Sequence, residues 1–181
     1  MVCSRGQLLF EYPAKGAKEQ EQAVADEQVC RVVRSLKRRR NGGDGLLAYR
    51  NGHHWHNATP EDINVYLREV SGGDFTAKDF RTWHATAVTA VGLTVSKPAA
   101  TSDSARKRAV ARVVREVADY LGNTPAVARA SYIDPRIIDL YEQGTTIEPV
   151  LGDLGKGREF GELATRGQAE QAVLKVLTDH A

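Results

Sequence analysis

The chain has 181 residues, 41% hydrophobic and 27% charged, with a formal net charge of +2; that is enough to bury one good core, and it fits a globular protein. The composition excludes a membrane-spanning helix, since no run of about 18 apolar residues occurs, and no basic segment followed by an apolar core opens the chain as a secretory signal. Two cysteines, Cys3 and Cys30, are too few for a disulfide framework and lack metal-ligand spacing, so free thiols in a reducing cytoplasm are expected.

No element is expected before Gln7-Leu8-Leu9-Phe10-Glu11-Tyr12, which reads as a strand. Pro13 to Lys18 reads as a turn and Glu19 to Val24 as the returning strand of a hairpin. Asp26 to Arg39 reads as a helix with Val29, Val32, Val33 and Leu36 on one face, broken by the glycine-rich stretch after Asn41. Leu46 to His56 is irregular or a short hairpin around Asn51-Gly52. Thr59-Pro60-Glu61-Asp62 has the chemistry of a helix start, with a hydroxyl cap, proline in the first turn and acids against the dipole. That helix turns Ile63, Tyr66, Leu67 and Val70 to one side and stops at Gly72-Gly73.

Thr76 caps a further helix expected to reach about Val91, with Phe80, Trp83, Ala87 and Val91 inward, and Gly92 weakening it. Lys97 to Ser104 reads as a linker, and Ser104 to Leu121 as an amphipathic helix with Val110, Val113, Val114, Val117 and Leu121 inward. Arg108, Arg112 and Arg115 fall on its outward side. Gly122 ends it, Thr124-Pro125 opens a short helix to about Ser131, and Asp134-Pro135 opens another through Leu140. A last helix is expected from Gly161 to His180. The sum is a mainly α chain with a small N-terminal β-hairpin or sheet, an α+β fold in one domain over residues 1–181.

The overall charge says little about partners, but its distribution is uneven. Arg31, Arg34, Lys37, Arg38, Arg39 and Arg40 cluster, as do Arg106, Lys107, Arg108, Arg112 and Arg115. Such clusters can track a phosphate backbone, and solvated helix faces look the same, so charge alone leaves both readings open.

Two short segments carry more information. Thr76 to Ala85 supplies an ammonium at Lys78 and a guanidinium at Arg81, three apart and hence on one helix face. Leu121 to Pro135 supplies an amide at Asn123 and a phenol at Tyr132. Cutting a phosphodiester by side-chain attack needs a nucleophile, donors for the non-bridging oxygens, a proton for the leaving oxygen and in-line alignment. A phenol with its ordinary pKa of about 10 is ionised only about one part in a thousand at neutral pH, so cations must assist it. Alone, Lys78 and Arg81 would be a basic helix edge and Tyr132 a packing residue; their combination is what points to chemistry. His84 reads as a packed or rim histidine beside Phe80 and Ala87.

Lys-Asp-Phe-Arg-Thr-Trp followed by Leu-Gly-Asn-Thr-Pro and Ser-Tyr-Ile-Asp-Pro, together with a hairpin turn at Lys15, resembles the catalytic domain of type IB DNA topoisomerases, in the bacterial branch related to the poxvirus enzymes. The resemblance implies the DNA breaking-rejoining fold shared with tyrosine recombinases. It implies Tyr132 as nucleophile, forming a 3′-phosphotyrosyl link and expelling a 5′-hydroxyl, and Arg81 as the holder of the scissile phosphate. Asn123 matches a position that is histidine in the poxvirus enzymes and asparagine in bacterial relatives, and would donate to a non-bridging oxygen. Lys15 matches the hairpin lysine that protonates the leaving oxygen, although Ala14 stands where the family usually has glycine. Lys18 and Lys78 match positive positions near the DNA backbone. The implied activity is relaxation of supercoils in duplex DNA without ATP, cofactor or obligatory metal, by a monomer that is cytoplasmic and nucleoid-associated. The family also carries an arginine on a helix before the hairpin and an N-terminal clamp domain; no segment here matches either, so a shortened chain is expected.

Two other readings compete. Tyrosine recombinases use the same nucleophile but usually carry His-x-x-Arg where Lys78-Asp79-Phe80-Arg81 stands, and Gly-His where Gly122-Asn123 stands. A DNA-binding module that no longer cuts would keep the basic surface without the full set of catalytic cations. His53-His54-Trp55-His56 invites a metal reading, but in an extended segment only His54 and His56 share a side and no cysteine stands nearby. Gly42-Gly43-Asp44-Gly45 and Gly152 to Gly157 lack the spacing of a phosphate loop.

Overall fold

The computed structural model describes residues 2–4, 7–13, 19–40, 45–151 and 166–180. The chain divides into two units, one reaching Asp79 and one beginning at Phe80. Helices dominate, and the largest sheet is a small antiparallel one at the N-terminal end, as expected.

The first unit opens with three antiparallel strands in sequence order, β1 (Val2–Ser4), β2 (Gln7–Pro13) and β3 (Glu19–Ala25). β1 was not expected; three residues are too few for an alternation to register. Leu8 pairs with Cys3 on one side and Val24 on the other. It is fully buried against Cys30 and Val33 of α1 (Glu27–Arg38), with Phe10, Val24 and Leu46 packed around them. Asp26 caps α1 by accepting from the Val29 N–H at 3.0 Å. Of the four residues expected to face inward on α1, Val33 is buried, whereas Val32 is 57% exposed.

β4 (Ala48–Asn51) and β5 (His54–Asn57) form a hairpin whose turn uses Gly52 at φ 57. In α2 (Pro60–Ser71) the expected cap is complete. Thr59 Oγ1 accepts from the Asp62 N–H, and the Asp62 carboxylate accepts from the Thr59 N–H at 2.8 Å. The expected inward stripe of α2 is corrected: no residue of the helix is buried, and Tyr66 and Val70 are each more than 60% exposed. Local end chemistry, not burial, defines this helix.

The second unit is built on α3 (Ala77–Ser96) and α4 (Asp103–Leu121), with a 3-10 turn at Lys97–Ala99 between them. α5 (Pro125–Ser131), α6 (Pro135–Glu142), α7 (Glu148–Leu151) and α8 (Arg166–Asp179) follow. α7 was not expected; of the last helix, expected over residues 161–180, α8 covers Arg166–Asp179, and residues 161–165 lie outside the described residues. The valine face of α4 is buried as expected, with Val110, Val113, Val114, Val117 and Leu121 in one core with Leu93, Ile137, Tyr141 and Val173.

α3 departs from expectation twice. It runs through Gly92 to Ser96, and of the residues expected inward Ala87 is buried and Trp83 and Val91 pack partly buried against the core, whereas Phe80 is 55% exposed and Ala85, Thr86, Thr89, Ala90, Leu93 and Thr94 are buried instead. The physical reason is close approach: a Cβ on Gly92 would lie 3.0 Å from Val113 Cγ1. A helix packed that tightly turns its small residues inward. The buried hydroxyls of Thr89 and Thr94 cost little because each donates to the carbonyl four residues earlier, at 2.8 and 2.7 Å.

Candidate active site

The second unit brings three of the expected residues together. Arg81 stands early on α3. Asn123 follows the end of α4, and Tyr132 closes α5. What joins them is the way α4 ends.

Gly122 takes the left-handed conformation, φ 67 and ψ 33. Its N–H donates to the Asp119 carbonyl at 3.1 Å, and the Asn123 N–H donates to the Ala118 carbonyl at 2.8 Å. This double closure satisfies two terminal carbonyls and turns Asn123 sharply off the helix. The Leu121 carbonyl remains at the negative end of the helix dipole, where a cation is favoured. Arg81 Nη2 donates to that oxygen, and Asn123 Nδ2 donates to it at 3.4 Å. One backbone oxygen therefore gathers a guanidinium and an amide.

The same guanidinium lies over the Tyr132 ring, 5.1 Å from its centroid, within the range of a cation–π contact. Tyr132 is half-buried and packed against the main core. Its N–H donates to the Ala128 carbonyl at 3.0 Å, ending α5, and its φ of −131 and ψ of −17 lie outside the helical range. Tyr132 thus occupies the joint between two helices. Asp134 immediately caps α6, accepting from the Arg136 N–H at 3.0 Å.

A residue that sequence reasoning did not single out holds this joint. Thr86 is buried on α3 at 2% exposure, and its Oγ1 accepts from the Asp134 N–H at 3.0 Å while donating to the Tyr132 carbonyl at 3.5 Å. Nothing in the local sequence distinguishes Thr86 from the other small residues of α3; its partners lie 46 and 48 positions away. His84, expected as a packed or rim residue, is half-buried, with Nε2 3.3 Å from the Tyr120 hydroxyl.

Lys78 lies on the first turn of α3, exposed, in the part of the chain assigned to the first unit. That turn is held by the Asp79 carboxylate, which accepts from the Thr76 Oγ1 at 2.6 Å and the Thr76 N–H at 2.8 Å, and by Asn64, whose Oδ1 accepts from the Ala77 N–H at 3.0 Å. The hydroxyl and N–H of Thr76 keep the Asp79 carboxyl below the usual carboxylate range. Lys15 and Lys18 lie outside the described residues.

The Arg81 guanidinium thus lies over the Tyr132 ring and shares the Leu121 carbonyl with the Asn123 amide. Residues 3–147 match the family described as eukaryotic DNA topoisomerase I, catalytic core. The chain belongs to this family. No curated protein matches it. As a topoisomerase I catalytic-core chain it carries both signature segments inside the matched span, with Arg81 and Tyr132 separated by 51 residues of sequence but in contact through space. No helix among the described residues is long and apolar enough to cross a membrane. Of the three neighbouring histidines, His56 stacks on Tyr49, with ring centroids 5.7 Å apart.

Proposed function

We propose that this chain cuts and rejoins one strand of duplex DNA, as a type IB topoisomerase of the branch shared by bacterial and poxvirus enzymes. In this reading the Tyr132 phenol gives up its proton to solvent as its oxygen attacks the scissile phosphorus, forming a 3′-phosphotyrosyl bond while the bond to the 5′ oxygen breaks. Arg81 binds the non-bridging oxygens with two parallel donors, a geometry that lysine does not offer. Asn123 donates to one of the same oxygens, in keeping with the asparagine of the bacterial branch. Lys15 gives its proton to the departing 5′ oxygen, and Lys18 and Lys78 contact the backbone. Religation is the reverse: the 5′-hydroxyl attacks, the P–O bond to Tyr132 breaks, and the proton returns. The phosphotyrosyl ester keeps the energy of the broken phosphodiester, so ATP is not consumed. Between the two steps the free end rotates and supercoils relax.

The observation that supports this reading is the Arg81 guanidinium over the Tyr132 ring and bonded to the Leu121 carbonyl beside Asn123. A duplex carrying a nick just downstream of the cleavage position traps the covalent complex, because the short leaving strand diffuses away. Incubation with the full chain is expected to give a DNA-linked band on denaturing gels, absent in Tyr132→Phe. Arg81→Gln should slow its formation about 100- to 1000-fold, the usual loss for one oxyanion donor. DNA binding without any adduct from the unaltered chain would show that the molecule binds but does not cut.

A further inference from the structure

The first unit carries a charged groove that the chemistry above does not use. α1 bears Arg31, Arg34 and Arg38 at positions i, i+3 and i+7, which share one face of a helix. Together with Arg39, Arg40 and Trp55 they line an open cavity of about 670 Å³. Five of these lining residues are arginines and none is acidic. After Glu27, α1 has no acidic residue at all.

Arg39 gives the groove its shape. Its guanidinium donates to the carbonyls of Leu36 at 3.0 Å and Leu46 at 2.9 Å, and also to that of Gly45. It lies 5.8 Å from the centre of the Trp55 ring. The half-buried Arg39 therefore ties the end of α1 to the segment entering the β4–β5 hairpin, and it fixes Trp55 opposite the helix. Arg31, Arg34, Arg38 and Arg40 are exposed around that clamp.

We propose that this groove is a binding track for the phosphate backbone of duplex DNA, independent of whether Tyr132 cuts. A rise of about 1.5 Å per residue spreads the Arg31–Arg38 row over roughly 10 Å. One DNA strand presents a phosphate about every 3.4 Å of axis, so the row matches about three successive phosphates. Guanidinium groups suit this ligand because they bind phosphate oxygens in pairs. The groove is open and its charges lie in a line, which fits a polymer better than a single small anion.

The test is the salt dependence of binding to a fluorescein-labelled duplex DNA, measured by anisotropy with the full chain. Each phosphate contact contributes about 0.9 to the slope of log affinity against log salt. The triple variant Arg31→Gln, Arg34→Gln, Arg38→Gln is expected to lower the slope by about 2 to 3. Replacing the same three by lysine should largely keep it, which separates loss of charge from loss of fold. Arg108→Gln with Arg115→Gln, which removes charge from α4, should leave the slope nearly unchanged. An unchanged slope in the glutamine triple variant would overturn the proposal, as would an equal loss per charge in the α4 variant. A loss seen with duplex RNA but not with duplex DNA would overturn the assignment to DNA. Tyr132→Phe is expected to keep the full slope, so a failure of cleavage and a failure of this groove are read separately.

Discussion

Thr86 shows how a single buried hydroxyl governs a site it does not enter. Its oxygen serves the N–H that starts α6 and the carbonyl of Tyr132, so it ties α3 to the backbone of the joint that carries the phenol. Thr86→Val keeps the shape and removes both bonds, leaving the Asp134 N–H without this partner. The expected cost is about 1–3 kcal/mol of stability, the usual penalty for a deprived buried donor. Adduct formation on the nicked duplex should fall further than the loss of folded protein explains, and Thr86→Ser should restore it. Thermal unfolding followed by circular dichroism, alongside the adduct assay, reads both effects. Gly92 is a residue-scale constraint of the opposite kind, where any side chain meets Val113. Gly92→Leu should lower the melting temperature by an amount equivalent to about 1–3 kcal/mol, since overpacking outweighs the gain in helix propensity.

Helix ends, more than helix faces, organise the elements of this molecule. α2, α3 and α6 each start on a carboxylate that accepts from nearby donors: Asp62 from Thr59, Asp79 from Thr76, and Asp134 from Arg136. These bonds hold all three carboxyls below the usual aspartate range, chiefly through the side chains of Thr59, Thr76 and Arg136 respectively. A carboxyl with a depressed folded-state pKa stabilises the fold fully above its unfolded value of about 3.9 and loses that contribution as pH falls through the folded value. The melting temperature is therefore expected to decline below about pH 4 partly through these groups. In Asp79→Asn that acid-side decline should be shallower, which a pH series of thermal unfolding curves checks. If the slope is the same with and without the Asp79 carboxyl, the cap carries no pH-dependent stability.

At the scale of the whole molecule, the two units differ in how much they bury. The second unit has a continuous core from Ala85 to Leu177, whereas the first centres on Leu8, Cys30 and Val33. Opening free energy follows buried apolar contact, so the two should not exchange amide hydrogens alike. Amides of α3 and α4 are expected to be the slowest in hydrogen–deuterium exchange, and those of β2 and β3 markedly faster. Equal protection across the two units would show that they open together.

The ends of most helices were written locally. Thr59-Pro60, Thr124-Pro125 and Asp134-Pro135 each mark a start that the structure keeps, and Gly72 and Gly122 each mark a stop in the left-handed conformation. The reason is range: a cap involves atoms within a few residues, so the sequence itself holds all the partners. The inward face of α4 was equally legible, because its valines repeat at helical spacing. The face of α2 was not, and that of α3 only in part, with Ala87 buried and Phe80 exposed, since hydrophobicity names which residues could be buried and only the neighbouring surface decides which are. Tertiary structure alone decided the geometry around Tyr132. Arg81 reaches a carbonyl 40 positions away and Thr86 a turn 46 positions away, and contacts of that span leave no trace in local pattern.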